Sequence, residues 1–359
     1  MTLRENPLSS RLQRYWFSQY RAPEHREIGP ILATGLMLAE LLYRGALLIR
    51  SVWHRLLNRP KRFPGVRVIA IGNLVVGGAG KTPAALAIAT ALQSQGIACG
   101  LISRGYRSAA EHAAPVVVLP EALHLHNAGQ IGDEAWLLCW RTGLPIAVGK
   151  DRAAGLARLL ALKPELKAVI LDDGLQQRWL HADEQVLIID ERGFGNGHCL
   201  PRGPLREPVG DLERFSLVIH RSQELDIHPS CWVPLDSLGR GDIAAAPALD
   251  LASAAKRFHG QRILAVAGLA MPERFFNDLQ QMGLSFESLP LPDHEIHLAQ
   301  QVQSHWMSGR YDIVLMTEKD AVKFLHSHLA VCAHAWALRQ HAQLDANSIE
   351  RLLHGFKTS

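Results

Sequence analysis

The chain has little of what marks several broad classes of protein. Its five cysteines, Cys99, Cys139, Cys199, Cys231 and Cys332, are scattered and include no Cys-x-x-Cys pair, which reads as a reducing compartment without a disulfide framework. Basic and acidic residues nearly balance, 38 against 34, so no overall field marks a nucleic-acid binder and no nucleic-acid partner is expected. Internal repeats, low-complexity tracts and long linkers are missing. The first thirty residues hold no small-residue cleavage site behind an apolar core, so no secretory signal is evident. The tightest histidine grouping, His294-Glu-Ile-His297, lacks the spacing of a zinc helix motif. No motif points to an obligate protein partner.

At 359 residues, with 48% hydrophobic and 20% charged content, the chain has the material for two cores and argues against extensive disorder. Its organising stretch is Gly72-Asn73-Leu74-Val75-Val76-Gly77-Gly78-Ala79-Gly80-Lys81-Thr82-Pro83, between the apolar run 68–71 and an alanine-rich helical pattern, 84–92. Strand, glycine loop and helix in that order make a phosphate-binding loop. Glycines let backbone N–H groups crowd around phosphate oxygens, Lys81 adds a cation and the Thr82 hydroxyl can hold Mg²⁺. Residues Val75 to Thr82 are therefore the expected nucleotide cradle, although Val75 stands where the usual pattern has glycine.

From residue 67 short apolar runs alternate with helical patterns: strands near 68–71, 97–102, 116–119, 145–148, 168–171 and 186–189, with helices to about 94 and at 133–141 and 152–162. The fold class is α/β, a P-loop NTPase-like, mostly parallel sheet with helices on both faces. A proline- and glycine-rich passage, 193–208, ends this unit. A second series has strands near 216–219, 262–267, 285–289 and 312–316 and helices at 272–282 and 298–307, followed by a terminal helix over about 345–353. The expected domains are a helical region at 1–60, a P-loop core at 61–212, a smaller α/β domain at 213–330 and a closing segment at 331–359.

Residues 31–49 are almost wholly apolar, interrupted by Glu40 and Arg44. Each charge near the middle of a membrane span costs roughly 2.5–3.5 kcal/mol, which disfavours a lipid-embedded single span. An interfacial helix avoids that cost. Glu40, Arg44, Ser51 and Arg55 fall on one stripe, and Arg50, His54, Arg55, Arg59, Lys61 and Arg62 form a basic collar suited to an anionic membrane surface. A soluble helix pair packed on the main core fits the same residues.

Several groups could carry chemistry. Val169-Ile-Leu-Asp172-Asp173-Gly174 is an apolar strand ending in two carboxylates, suited to holding Mg²⁺ beside the phosphate loop. Asp133 opens a helical pattern, where it would serve as a cap or, in a kinase, accept the proton of the attacking hydroxyl; Asp293-His294 is a second candidate. Arg104, Arg152, Arg202 and Arg206 offer guanidinium groups at strand ends and loops. Thr317-Glu-Lys-Asp320 superficially resembles a guanine-reading motif, but Glu318 stands at the second position.

Taken in order, Val76-Gly-Gly-Ala-Gly-Lys-Thr-Pro83, Ser103-Arg-Gly-Tyr106, Gly132-Asp-Glu134, Asp151-Arg152, Asp172-Asp-Gly174 with Gln176, Gly203-Pro-Leu-Arg-Glu-Pro208, Pro272-Glu-Arg-Phe-Phe276, Pro292-Asp-His294 and Thr317-Glu-Lys-Asp-Ala-Val-Lys323 resemble the tetraacyldisaccharide 4′-kinases of lipid A biosynthesis. The resemblance covers about 59–323. It implies transfer of the ATP γ-phosphate to the 4′-hydroxyl of an acylated glucosamine disaccharide 1-phosphate, giving lipid IVA, by a peripheral or monotopic enzyme on the cytoplasmic face of the bacterial inner membrane. A smaller domain would close over the nucleotide. By the same resemblance Lys81, Asp133 and His294 are catalytic, with Asp133 accepting the hydroxyl proton and His294 as its partner; Thr82, Asp172, Asp173 and Glu207 serve Mg²⁺; and Arg104, Tyr106, Arg152, Gln176 and Arg206 contact substrate or phosphate. Val75, the Gly268-Leu-Ala-Met-Pro272 segment and Arg107 depart from the commoner family residues. A soluble small-molecule P-loop kinase, with 31–57 as core, and a nucleotide-switched binding protein or GTPase are the competing readings.

Overall fold

The structure is a computed structural model that describes residues 12, 15–17, 29–57, 60–77, 80–210, 212–238, 248–293, 295, 297–325, 327 and 329–357. Gly78, Ala79 and His294 lie outside the described residues. In chain order the main elements are α1 (Pro30–Leu57), β1 (Arg67–Gly72), α2 (Lys81–Ser94), β2 (Cys99–Ser103), β3 (Val116–Val118), α3 (Ala128–Ile131), α4 (Asp133–Thr142), β4 (Ile146–Val148), α5 (Arg152–Leu162), β5 (Ala168–Leu171), β6 (Glu184–Ile189) and β7 (Leu217–His220). Then follow β8 (Leu225–Pro234), β9 (Leu249–Asp250), α6 (Leu251–Phe258), β10 (Ile263–Ala267), α7 (Pro272–Gln281), β11 (Phe286–Pro290), α8 (Leu298–Trp306), β12 (Ile313–Thr317), α9 (Glu318–Ala321), β13 (Ala335–Leu344) and α10 (Ala346–Lys357).

The first sheet has strand order β3-β4-β2-β5-β1-β6-β7 and is parallel except for β3 against β4. Its interior strands are apolar on both faces because both are covered. In β1, Ile69 and Ile71 join the core that contains Ile88 and Leu92 of α2, whereas Val68 and Ala70 join the one containing Leu156 and Leu159 of α5. The second sheet, β11-β10-β12-β13-β8-β9, is parallel from β11 to β13 and antiparallel beyond. The two are joined through a shared core, since α2 packs against β13 as well as β1.

Three elements differ from the sequence reading. The strand expected at 216–219 to open the second series instead closes the first sheet, β7 pairing in parallel with β6. The ten-residue strands β8 and β13 carry no clean alternation and were not expected; Pro229 sits at a register shift opposite Gln340, where a strand tolerates proline because a bulge needs no ladder donor. Residues 331–359 contain β13, the partner of β12, and then α10, which returns to β7 and α2 of the first unit.

Helix α1 docks through a narrow stripe. Leu36 and Glu40 are buried, and Tyr43, Leu47, Ser51 and His54 half-buried, at helical spacings of three and four. The rest of its apolar surface is bare: Ile31, Leu38, Leu41, Leu42, Leu48, Ile49 and Leu56 are between 55% and 89% exposed. Residues 30–54 are long and apolar enough to cross a membrane by length and composition, yet only 11% of the window is buried. Glu40 keeps the i,i+4 pairing with Arg44 that its spacing implied, at 3.9 Å, but is itself buried and turned onto the loop 193–208.

Candidate active site

The carboxyl ends of the parallel strands of both sheets open on one cleft of about 550 Å³. From the first unit it is lined by Gly77, Gly80, Lys81 and Thr82 after β1, Arg104 and Tyr106 after β2, Asp133 and Glu134 at the start of α4, Asp172 and Asp173 after β5, and Arg206. The second unit supplies Leu269 to Met271 after β10, Asp293 after β11 and Thr317 to Lys319 at the end of β12.

The phosphate loop turns on two glycines with positive φ, Gly77 at 91° and Gly80 at 82°, the latter at the N-cap of α2. Asn73 ties the loop to itself, its amide donating to the carbonyls of Val75 at 2.8 Å and Gly77 at 3.3 Å. Val75 is buried and bridges to Leu205, so the position that departs from the usual glycine packs into the loop's base. Lys81 Nζ lies 2.9 Å from Asp173 Oδ1 and donates to Asn73 Oδ1 at 3.3 Å. The loop's cation rests on a carboxylate.

The paired aspartates have opposite electrostatics. Burial opposes ionisation of Asp173, but Lys81, Arg206 and Arg152 outweigh it and hold the carboxyl at about 2. Asp172 is fully buried, and that burial, with repulsion from Glu134 and Asp173, pushes it up to about 7. Its Oδ1 is buried with no hydrogen-bond partner, an arrangement that is costly for a carboxylate facing only protein. Asp173 adopts φ 48°, a left-handed conformation that aspartate and asparagine enter more readily than other non-glycine residues.

On the facing wall, Gly105 and Gly132 press together: a Cβ on Gly132 would lie 3.2 Å from the Gly105 Cα. That contact brings the Tyr106 turn against the start of α4. Asp133 is buried there, its Oδ1 accepting from the Glu134 amide at 2.9 Å. Arg104 Nε pairs with Glu111 at 2.8 Å, and the same carboxylate accepts the amide of Arg107, which sits at φ 58°, a left-handed conformation that favours glycine.

Lys319 of the second unit spans the cleft, 3.0 Å from Glu134 and 3.2 Å from Asp293. Burial works against its charge, but Glu134, Asp133 and Asp293 raise its pKa above the ordinary lysine value. Behind it, Glu318 joins Arg141 of α4 to Arg339 of β13, the latter at 2.9 Å. Asp320 points away from the cleft. It accepts from Gly268 N at 3.0 Å and pairs with Lys323 at 3.1 Å, so the guanine-reading likeness of Thr317–Asp320 is superficial and this acid is part of the scaffold.

Five expected site residues are not among those lining the cleft: Val75 and Val76, which form the loop's base, and Arg152, Gln176 and Glu207. Arg152 backs it, donating to the Asp173 carbonyl at 3.3 Å. Gln176 holds the Asn73 carbonyl at 2.9 Å and so braces the phosphate loop. Glu207, expected beside the metal, is drawn off by Arg178 at 4.0 Å and Arg214 at 3.6 Å. Sequence reasoning also missed Arg221, which follows β7 and packs 3.4 Å from where a Cβ on Gly80 would sit, and Arg274 on α7. Arg221 would have been found by the strand-end rule had β7 been placed in the first sheet.

A strand, glycine loop and helix with an acid pair, one member buried, at the neighbouring strand end, in a doubly covered parallel sheet, define a P-loop phosphotransferase. The family model described as Tetraacyldisaccharide-1-P 4'-kinase matches residues 32–357, and the chain belongs to that family. Curated tetraacyldisaccharide 4'-kinases resemble it closely: that of Dechloromonas aromatica is 37% identical over 356 residues, spanning 95% of this chain and 96% of the relative. That of Herminiimonas arsenicoxydans is 38% identical over 300 residues, with 80% and 82% covered. In fold the chain is similar to LpxK from Aquifex aeolicus, whose structure was determined in complex with ATP, with a TM-score of 0.71, 23% identity, and 90% of this chain and 99% of that one covered.

Proposed function

We propose that the chain transfers the γ-phosphate of ATP to the 4′-hydroxyl of a tetraacylated glucosamine disaccharide 1-phosphate, forming lipid IVA in lipid A biosynthesis. The observation that carries this reading, beside family membership, is one cleft lined by both a phosphate loop and a buried acid, Asp133, at the start of α4. Gly77, Gly80 and the neighbouring loop amides hold the triphosphate, and Lys81 exchanges Asp173 for β/γ-phosphate oxygens when nucleotide arrives. Asp133 takes the proton of the 4′-hydroxyl as it attacks, with His294 following the Asp293 that Lys319 anchors.

The residues present fit Mg²⁺. Asp172 offers a buried oxygen without a partner, and the Thr82 hydroxyl lines the same cleft. When bound there, the ion would neutralise charge developing on the β/γ-phosphate oxygens. Thr82, Asp172 and Asp173 would hold it; Glu207, paired elsewhere, would not. Arg104, Tyr106 and Arg206, which line the cleft, would meet substrate or phosphate, and Arg152 and Gln176 would act by supporting Asp173 and Asn73.

An acyl-chain-bearing substrate is met at a membrane surface, which the bare apolar face of α1 supplies. Each fully buried Leu or Ile contributes about 1.5–3 kcal/mol of transfer free energy, so a few such side chains are enough for peripheral attachment at the inner membrane's cytoplasmic face. The two units then close on the nucleotide through the Lys319 and Arg141 ion pairs. The test is an assay with γ-labelled ATP and the disaccharide 1-phosphate. Label on the lipid is expected; label released only as inorganic phosphate would overturn the assignment.

A further inference from the structure

Helix α1 makes more polar contacts with the kinase unit than an anchor needs. Glu40 is 4% exposed on a helix whose apolar face is largely bare. A buried carboxylate is tolerated only when matched, and this one is: Oε1 accepts from Cys199 N at 3.0 Å, and Oε2 faces His198 Nδ1 at 3.3 Å and Arg202 Nη1 at 3.5 Å. Nearly one turn further on, Tyr43 Oη donates to the Arg206 carbonyl at 2.8 Å. All of these partners lie in the loop 193–208.

That loop is also the floor of the phosphate loop. Val76 N donates to the Pro204 carbonyl at 2.9 Å, Val75 bridges to Leu205, and Arg206 N donates to the Leu74 carbonyl at 2.7 Å. The Arg206 side chain then reaches Asp173 Oδ1 at 3.1 Å, the same oxygen that lies 2.9 Å from Lys81. An unbroken polar path runs from Tyr43 through Arg206 and Asp173 to the phosphate-binding lysine.

We infer that Glu40 and Tyr43 are positioning residues for the ATP site, so that the seating of α1 on the loop 193–208 sets the geometry of Arg206 and the phosphate loop. The inference rests on the kinase reading above and adds to it a role for α1 distinct from holding the chain at a membrane. An anchor acts on the encounter with lipid substrate, whereas a positioning element acts on the handling of ATP. The two are separable because the Glu40 and Tyr43 face is turned inward and the lipid-facing residues are turned outward.

The experiment measures kcat and KM separately for ATP and for the disaccharide 1-phosphate in mixed detergent micelles. It also measures co-sedimentation with phosphatidylglycerol–phosphatidylethanolamine vesicles and the affinity of a fluorescent ATP analogue. Tyr43→Phe keeps the ring and removes one hydrogen bond; Glu40→Gln keeps the shape and removes the charge. Each is expected to lower kcat/KM for ATP by about 3- to 10-fold, the scale of one such bond, with KM for the lipid and vesicle binding unchanged. Tyr43→Phe added to Arg206→Ala should cost nothing further, as coupled positions do. Unchanged ATP parameters in both variants, or a loss confined to melting temperature, lipid KM or vesicle binding, would overturn the inference. Failure of the wild-type chain to label the disaccharide would overturn the kinase reading instead, and the coupling would then be decided by the nucleotide affinities.

Discussion

Two interior parallel strands of this molecule, β5 and β12, each run into an acidic turn at the same cleft, yet the acids have opposite fates. After β12, Asp320 is fully buried and fully engaged: Gly268 N at 3.0 Å, the Thr317 hydroxyl at 2.8 Å and Lys323 at 3.1 Å. After β5, Asp172 is as deeply buried but leaves Oδ1 bare, and its carboxyl is pushed up to about 7. A satisfied buried carboxylate ties elements together. A bare one weakens the empty protein and is a place for a cation, so the difference between scaffold and site lies in which lone pairs are already taken.

The largest expected effect concerns a third acid, Asp133, proposed above as the proton acceptor. Asp133→Ala should lower turnover roughly 10²–10⁴-fold while leaving the affinity for a fluorescent ATP analogue near normal. Near-wild-type turnover would remove it as the base. Asp172→Asn should lower Mg²⁺-dependent turnover on the order of 10²-fold without loss of stability, whereas Asp320→Ala should cost about 3 kcal/mol in urea unfolding by orphaning Lys323 and Gly268 N. Exchange of those two phenotypes would break the comparison.

A smaller effect is a pH dependence of stability without Mg²⁺. The folded pKa of Asp172 lies above the unfolded value, so the native state binds the extra proton between roughly pH 4 and 7. Its contribution to stability is present below pH 4 and is lost as pH rises through about 7. Asp173, held at about 2, has the reverse sign and loses its contribution as pH falls from about 4 towards 2. Thermal melts in chelator should therefore show Asp172→Asn more stable than wild type by a few degrees at pH 8 and the gap closing near pH 4. An equal gap at both pH values would contradict the assignment.

The parts of this contrast that were legible in the sequence are those that local pattern dictates. Strand 168–171, helix 152–162 and the glycine loop were readable because continuous apolar runs, an Asp151 cap accepting from Ala154 N and a Gly-Lys-Thr ending each act within a few residues. What was not legible depends on distant partners. Asp320 has two local partners, Thr317 and Lys323, but the bond that ties it into the scaffold comes from Gly268, 52 residues away, and no local feature marks Asp172 as the acid left with a bare oxygen. Lys319 reaches Asp293 across the second sheet, 26 residues away, and Glu134 only once the two sheets meet. Glu40 looked like a surface charge because the loop that satisfies it is more than 150 residues away in the chain. Strands β8 and β13 were hidden by a proline at a bulge and by a polar residue, Gln340, that lines the cleft.

The most direct measurement is a Mg²⁺ titration of γ-label transfer from ATP to the disaccharide 1-phosphate by wild type, Asp172→Asn and Asp320→Asn. The bare acid predicts that Asp172→Asn alone requires at least about ten times more Mg²⁺ and reaches a lower plateau. Coincident titrations of wild type and Asp172→Asn, or a shift in Asp320→Asn instead, would contradict it.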